Sequence, residues 1–129
     1  MPYAEGKALA FQPTDAIDSA VLETFDYDGV AQEITCSTDE FSAVCPFSGL
    51  PDIARVTVTY VPNRKCVELK SLKYYYLSFR NVGIYQEHVT DRILRDLVAA
   101  LEPKRLTIET DYNVRGGIHT VCRARHEAS

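Results

Sequence analysis

The run Asp52-Ile53-Ala54-Arg55-Val56-Thr57-Val58-Thr59-Tyr60-Val61 constrains the fold more than any other stretch of this chain. Ala54, Val56, Val58 and Tyr60 point one way, and Arg55, Thr57 and Thr59 the other. A period of two is that of an extended chain, and one apolar face makes this a half-buried strand. Residues 29–36 alternate more loosely and predict a second strand before it. Between the two, residues 37–51 are rich in turn formers and read as a long connection that carries Cys45.

The period then changes. Over residues 66–80, Leu69, Leu72, Tyr76 and Phe79 recur at spacings of three and four, which predicts a helix with one apolar stripe. Lys70 and Lys73 emerge together on a different face of it. After a break at Asn81–Gly83, a second helix is expected over roughly 86–101, with Val89, Ile93, Leu94, Leu97, Val98 and Leu101 as its stripe and Pro103 just past its end. Strands are expected at 105–112 and 117–125, joined through Asn113–Gly116. Strand, strand, helix, helix, strand, strand favours an α+β domain: an antiparallel four-stranded sheet with two helices on one face. That domain is placed at residues 29–129, with 1–28 as an irregular lead-in. Exposed sheet edges make a ring-closing homo-oligomer a reasonable expectation.

At 129 residues the chain has the size of one ordinary domain. A formal charge of −4, with both signs mixed along the chain, argues against nucleic acid as the main partner, because phosphate neutralisation needs clustered Lys and Arg. No apolar run is long enough to span a membrane, and the first residues lack a secretory pattern, so the expected location is the cytoplasm. Cys36, Cys45, Cys66 and Cys122 form no C-x-x-C pair and have no His at zinc-finger spacing. No metal site is expected, and the thiols should be mostly free.

Four places can carry chemistry. Cys45 sits in Cys45-Pro46-Phe47-Ser48-Gly49-Leu50-Pro51-Asp52. A thiol on a loop stiffened by proline, near a carboxyl, can supply a nucleophile and a proton donor; a packed thiol and a turn-capping Asp are equally consistent with the residues. Lys70 and Lys73 suit phosphate as compact point charges, or form an ordinary solvated face. Glu87, beside Gln86 and His88, can hold a guanine-like edge through two parallel hydrogen bonds, or simply favour a helix start. Arg115-Gly116-Gly117 offers an anion-binding guanidinium and a closely approachable backbone, or only a tight turn.

Together and in this order these residues resemble the 7-cyano-7-deazaguanine reductase family, the QueF nitrile reductases, in its short single-module form. The match runs from about residue 40 to about residue 120 and is most specific at Glu68-Leu69-Lys70-Ser71-Leu72-Lys73-Tyr74-Tyr75. Cys45, Pro46, Gly49, Pro51 and Asp52 fit the family's Cys-Pro loop, and Ser78-Phe79-Arg80-Asn81, Glu87 and Arg115-Gly116-Gly117 fall where its other motifs do. The resemblance implies the tunnelling fold, with subunits joining their sheets into a barrel and active sites at their interfaces. It implies Cys45 as the thiolate that forms a thioimide with the nitrile, Asp52 as proton donor, and Val67, Glu68, Leu69, Gln86 and Glu87 as substrate contacts. Lys70, Lys73 and Arg115 would bind NADPH phosphates. Gln86 departs from the His found at that place in family members. Val89 stands where some relatives carry a second Cys, so no protective disulfide is expected. Three other readings compete: a related amidinotransferase of the archaeosine type, a zinc-dependent GTP cyclohydrolase of the same fold, and a non-catalytic module that binds purines or pterins through Glu87. The lysine pair and the net charge count against the first. No zinc ligand set can be assembled for the second.

Overall fold

The computed structural model describes residue 5 and residues 9–129. Among the described residues, two short 3-10 turns at Thr14–Ala16 and Ser19–Val21 precede six strands and two α-helices in the order β1 (Thr24–Asp26), β2 (Ile34–Val44), β3 (Pro51–Val61), β4 (Lys65–Val67), α1 (Leu69–Leu77), α2 (Gln86–Leu101), β5 (Arg105–Tyr112) and β6 (Val121–Glu127). The architecture is α+β with antiparallel pairing throughout its two sheets. The larger sheet runs β2-β3-β5-β6; β1 and β4 make a separate two-stranded ribbon.

The alternation of residues 52–61 is realised along β3, whose inward residues Ala54, Val56, Val58 and Tyr60 are buried. Leu106, Ile108, Thr110 and Tyr112 of β5 line up beside them and are buried on the same face. Apolar side chains leave water together at about 25 cal/mol per Å², so this face gathers the helices' stripes. Val89, Ile93, Leu97 and Leu101 of α2 join that core, with Leu94 and Val98 packed at its margin. From α1 come Leu72, Tyr75 and Tyr76, and Phe79 follows just past the helix end. Phe41 meets Tyr76 edge-on at 5.8 Å and Phe79 at 5.2 Å.

Several expected boundaries move. The first long strand is Ile34–Val44 rather than 29–36, so most of the expected 37–51 connection is strand and only 45–50 remain as loop. Its polar residues Ser37–Glu40 lie mostly outward, and a bulge between Thr38 and Phe41 shifts the phase so that Phe41 and Ala43 turn into the core. The first helix is Leu69–Leu77, not 66–80. Residues 65–67 extend instead to pair with 24–26, which lay in the expected irregular lead-in. Leu69, assigned to the apolar stripe, is exposed, and Tyr75 takes the buried place. The last strand begins at Val121, because Gly116 and Gly117 are spent on a turn. The boundaries 86–101 and 105–112 stand as expected.

Glu68 starts α1 by accepting hydrogen bonds from the backbone N–H of Lys70 (2.9 Å) and Ser71 (2.8 Å). Those two donors hold its carboxyl below the usual range, as expected for an N-cap. Ser71 ties the same corner to the segment before β1, accepting from Glu23 N–H at 2.9 Å. Among the described residues no helix is long and apolar enough to cross a membrane. No cluster of His, Cys, Asp and Glu among them is arranged to hold a metal ion.

Leu97 is fully buried under the sheet. Leu97→Ala should lower the unfolding free energy by about 2–5 kcal/mol, a cavity cost that urea unfolding would measure.

Candidate active site

Residues 45–50 close the β2–β3 hairpin. Val44 pairs with Pro51 and Ala43 with Asp52, so Cys45 and Asp52 leave the sheet at the same end. The loop is cinched by Cys45 N–H to the Leu50 carbonyl (2.9 Å) and Gly49 N–H to the Cys45 carbonyl (2.7 Å). Gly49 has φ +73°, and a side chain there would run into the Leu9 carbonyl, so only glycine fits. The strand end is also clamped from the side: Val44 N–H donates to the Val82 carbonyl (3.0 Å), and Ile84 N–H donates to the Val44 carbonyl (3.1 Å). The next residues are Tyr85, Gln86 and Glu87, the start of α2. The clamp thus sets the first turn of that helix beside the thiol.

The third side comes from the β5–β6 connection. Arg115 and Ile118 exchange two backbone hydrogen bonds of 3.0 Å around Gly116 (φ +58°) and Gly117 (φ +78°). Two successive left-handed residues make the tight primed turn of a hairpin, which glycine adopts without penalty. This turn aims Arg115 inward. Its guanidinium donates one N–H to the Asp52 carboxylate and another to Cys45 Sγ at 3.4 Å.

Cys45, Asp52, Tyr85, Gln86, Glu87, Arg115, Ile118 and Thr120 line one open cleft of about 270 Å³. Cys45 and Asp52 form its floor, 5% and 4% exposed, whereas Glu87 stands exposed at the rim. Burial pushes the Cys45 thiol up, but the Arg115 guanidinium, the backbone N–H groups of Ser48 and Phe47, and the Ser48 hydroxyl push it down, and the net shift is downward. A thiolate-favouring environment beside a cleft is what a reactive cysteine needs. The three other thiols are free. Burial raises the pKa of Cys36, the opposite of an activated nucleophile.

The cleft therefore joins Cys45, Asp52, Gln86, Glu87 and Arg115 within one chain. Arg115, expected to bind cofactor phosphates, is hydrogen-bonded to Cys45 and Asp52. Val67, Glu68, Leu69, Lys70 and Lys73 do not line this cleft. Val67 is buried in the core, Glu68 caps α1, and Leu69, Lys70 and Lys73 are exposed on that helix. Lys73 and Leu69 border a separate groove of about 340 Å³ between α1 and β2. Sequence reasoning missed Tyr85, Ile118 and Thr120, which no motif singles out. Tyr85, adjoining Gln86 and Glu87, was the one a closer look at neighbours had a chance of finding.

A cysteine hydrogen-bonded to an arginine, with a carboxyl beside it and a second carboxylate at the rim, makes a candidate thiol-nucleophile site on an α+β scaffold. A model of the QueF-like protein family matches residues 51–129. The chain belongs to that family. It is 57% identical to the NADPH-dependent 7-cyano-7-deazaguanine reductase of Thermotoga maritima over 93% of this chain and 88% of that protein. The protein of the same description from Chlorobium phaeovibrioides is 52% identical over 84% of this chain and 95% of its own. In structure, the chain is similar to the archaeosine synthase QueF-Like in its apo form, with a TM-score of 0.68 across 80% of this chain and 99% of that one. At 19% sequence identity that likeness concerns the fold alone.

Arg115→Leu should raise the Cys45 pKa. Since the thiolate is the reactive form, the pH midpoint of iodoacetamide alkylation should move upward and the rate at neutral pH should fall. A midpoint that stays put would assign the activation to the loop N–H groups alone.

Proposed function

We propose that this chain is an NADPH-dependent nitrile reductase that converts 7-cyano-7-deazaguanine into 7-aminomethyl-7-deazaguanine, the reduction step of queuosine biosynthesis, in the cytoplasm. The observation that carries the reading is the meeting of an activated Cys45, Asp52 and Glu87 in one cleft. The reductases most like this chain are named for that reaction and for NADPH.

Glu87 at the rim accepts the N–H groups of the deazaguanine edge, with Gln86 beside it, and so points the nitrile at the floor. Cys45 sulfur adds to the nitrile carbon, forming the C–S bond, while the thiol proton passes through Asp52 to the nitrile nitrogen. The product is a thioimide, a far better hydride acceptor than a nitrile, so one hard step becomes easier ones. Bound NADPH supplies the hydrides. Arg115 stabilises the sulfur whenever it carries charge, on attack and again as leaving group. Among the described residues Lys70 and Lys73 make no ion pair and stand in solvent, which fits them to phosphate; Arg115, already engaged, fits that role poorly.

Val67, Glu68, Leu69, Lys70 and Lys73 lie away from the chain's own cleft, which fits a tunnelling-fold homo-oligomer whose active sites take residues from two subunits. The outer strands β2 and β6 are the edges through which sheets would join. We take residues 29–129 as the catalytic domain; of the preceding segment, β1 pairs with β4 and Ile17 joins the core. An archaeosine-type amidinotransferase would form the same thioimide and accept an amine instead of hydride. The lysine pair on α1 favours the reductase.

Mixing the protein with 7-cyano-7-deazaguanine and NADPH should consume two NADPH per nitrile, followed by nicotinamide absorbance. Cys45→Ala should abolish consumption yet keep ligand binding. A Cys45 adduct without NADPH consumption would favour the amidinotransferase. Asp52→Ala should still form the thioimide, more slowly because the proton must then travel through water, but stall its reduction. Glu87→Ala should weaken binding by about 1.5–3 kcal/mol, the worth of a charge-assisted contact, as calorimetry would show.

A further inference from the structure

Behind the cleft, one buried polar group has no task in the reaction described above. Tyr112 ends β5, is 2% exposed, and its hydroxyl has no hydrogen-bond partner of acceptable geometry. A buried O–H left unpaired costs about 1–3 kcal/mol, so such a group is kept for a reason. Its neighbours narrow the choice. Thr90 donates to the Gln86 carbonyl at 3.1 Å, which leaves Thr110 as donor in the 2.6 Å bond between the two threonine hydroxyls. Thr110, one step back on the same face of β5, spends its proton on Thr90 and is not in hydrogen-bonding geometry with the phenol.

Tyr112 lies directly opposite Ala54 of β3, and Asp52 is two residues from Ala54 on the same buried face. That is the diagonal relation across an antiparallel pair, within reach of an aromatic side chain. Burial is the main cause that holds the phenol in its protonated form, with the Asp52 carboxylate next, then Cys122 of β6 and Glu87 of α2; only the nearby Thr110 hydroxyl acts the other way. Arg115, from the β5–β6 turn, faces the other side of Asp52. The phenol is thus a permanent donor flanked by the site's two carboxylates.

We propose that Tyr112 is a positioning residue for Asp52: its O–H donates to that carboxyl when Arg115 turns toward the sulfur, and so keeps the acid oriented at the nitrile nitrogen. The proposal rests on the reading of Asp52 as the site's proton donor. The device suits a carboxyl that must exchange partners during a reaction. Arg115 is shared between sulfur and carboxyl through two separate N–H groups, and a charged sulfur competes for it; a neutral donor on the sheet holds Asp52 from the other side without moving.

The test is the pH profile of single-turnover nitrile reduction in the full oligomeric enzyme, for two variants that perturb the donor in opposite senses. Losing a donor to a carboxylate favours its protonated form, so Tyr112→Phe should move the high-pH limb upward by about half a unit to one unit. Placing 3-fluorotyrosine at position 112 keeps the shape and strengthens the donor, and should move that limb downward. The KM for the nitrile should stay within about twofold in both, because Glu87 carries the binding. Limbs unmoved in the 3-fluorotyrosine enzyme overturn the proposal, even if Tyr112→Phe merely unfolds. Asp52→Asn separates the two claims: a high-pH limb that persists in it overturns the role of Asp52 itself, whatever the tyrosine variants do.

Discussion

The end of β2 is held from two directions, and most of the site follows from that. Along the sheet, Val44 pairs with Pro51 and starts the hairpin that carries Cys45. From the side, Val44 bonds to Val82 and Ile84 and fixes where α2 begins. Each of these backbone bonds contributes only about 0.5–1.5 kcal/mol net. Their importance is geometric: a thiol, a buried carboxyl and the first turn of a helix come from separate parts of the chain and must meet within a few ångströms. A clamp made of main chain does this without constraining the side chains left to do chemistry. Phe11 lies over Gly83 and Leu9 bonds to Ser48, so the start of the chain braces the same corner.

Charge then turns position into reactivity. Burial pushes a thiol's pKa up, and at Cys36 the neighbouring Cys66 adds to it. At Cys45 burial pushes the same way, yet the balance tips downward because several donors converge on the sulfur. Half of the Arg115 side chain is exposed, whereas the Asp52 side chain is 5% exposed. The pair is therefore partly screened, and its worth lies in orientation more than in stability. An arginine anchored by a two-glycine turn reaches sulfur and carboxyl at once through separate N–H groups, which suits a reaction in which charge appears on each in turn.

The local patterns were the legible part. Helix α2, strand β5 and the inward face of β3 follow from periodicity, since burial of one face repeats at 3.6 or 2 residues whatever the rest of the chain does. The pairing of Cys45 with Asp52 was legible as well, because a hairpin brings nearby residues together. The polar run Ser37–Glu40 hid the length of β2, since an edge strand has solvent on its outer face and a bulge broke the alternation at Phe41. The ribbon of β1 with β4 was hidden too, because three-residue strands leave almost no periodic signal.

Residue identity alone determined which groups could act: one thiol on a proline-stiffened loop, a carboxyl seven residues on, a lysine pair on one helix face, a glutamate at a helix start and an arginine before two glycines. It left open which of these act together. Only the tertiary structure set Arg115 against Cys45 and Asp52, gave Glu68 to the cap of α1, and placed Tyr112 on the strand beside Asp52. The reason is physical. A side chain's chemistry travels with its sequence, but its partners depend on pairing register and on turns that bring distant segments into contact, and those are settled only when the whole core packs.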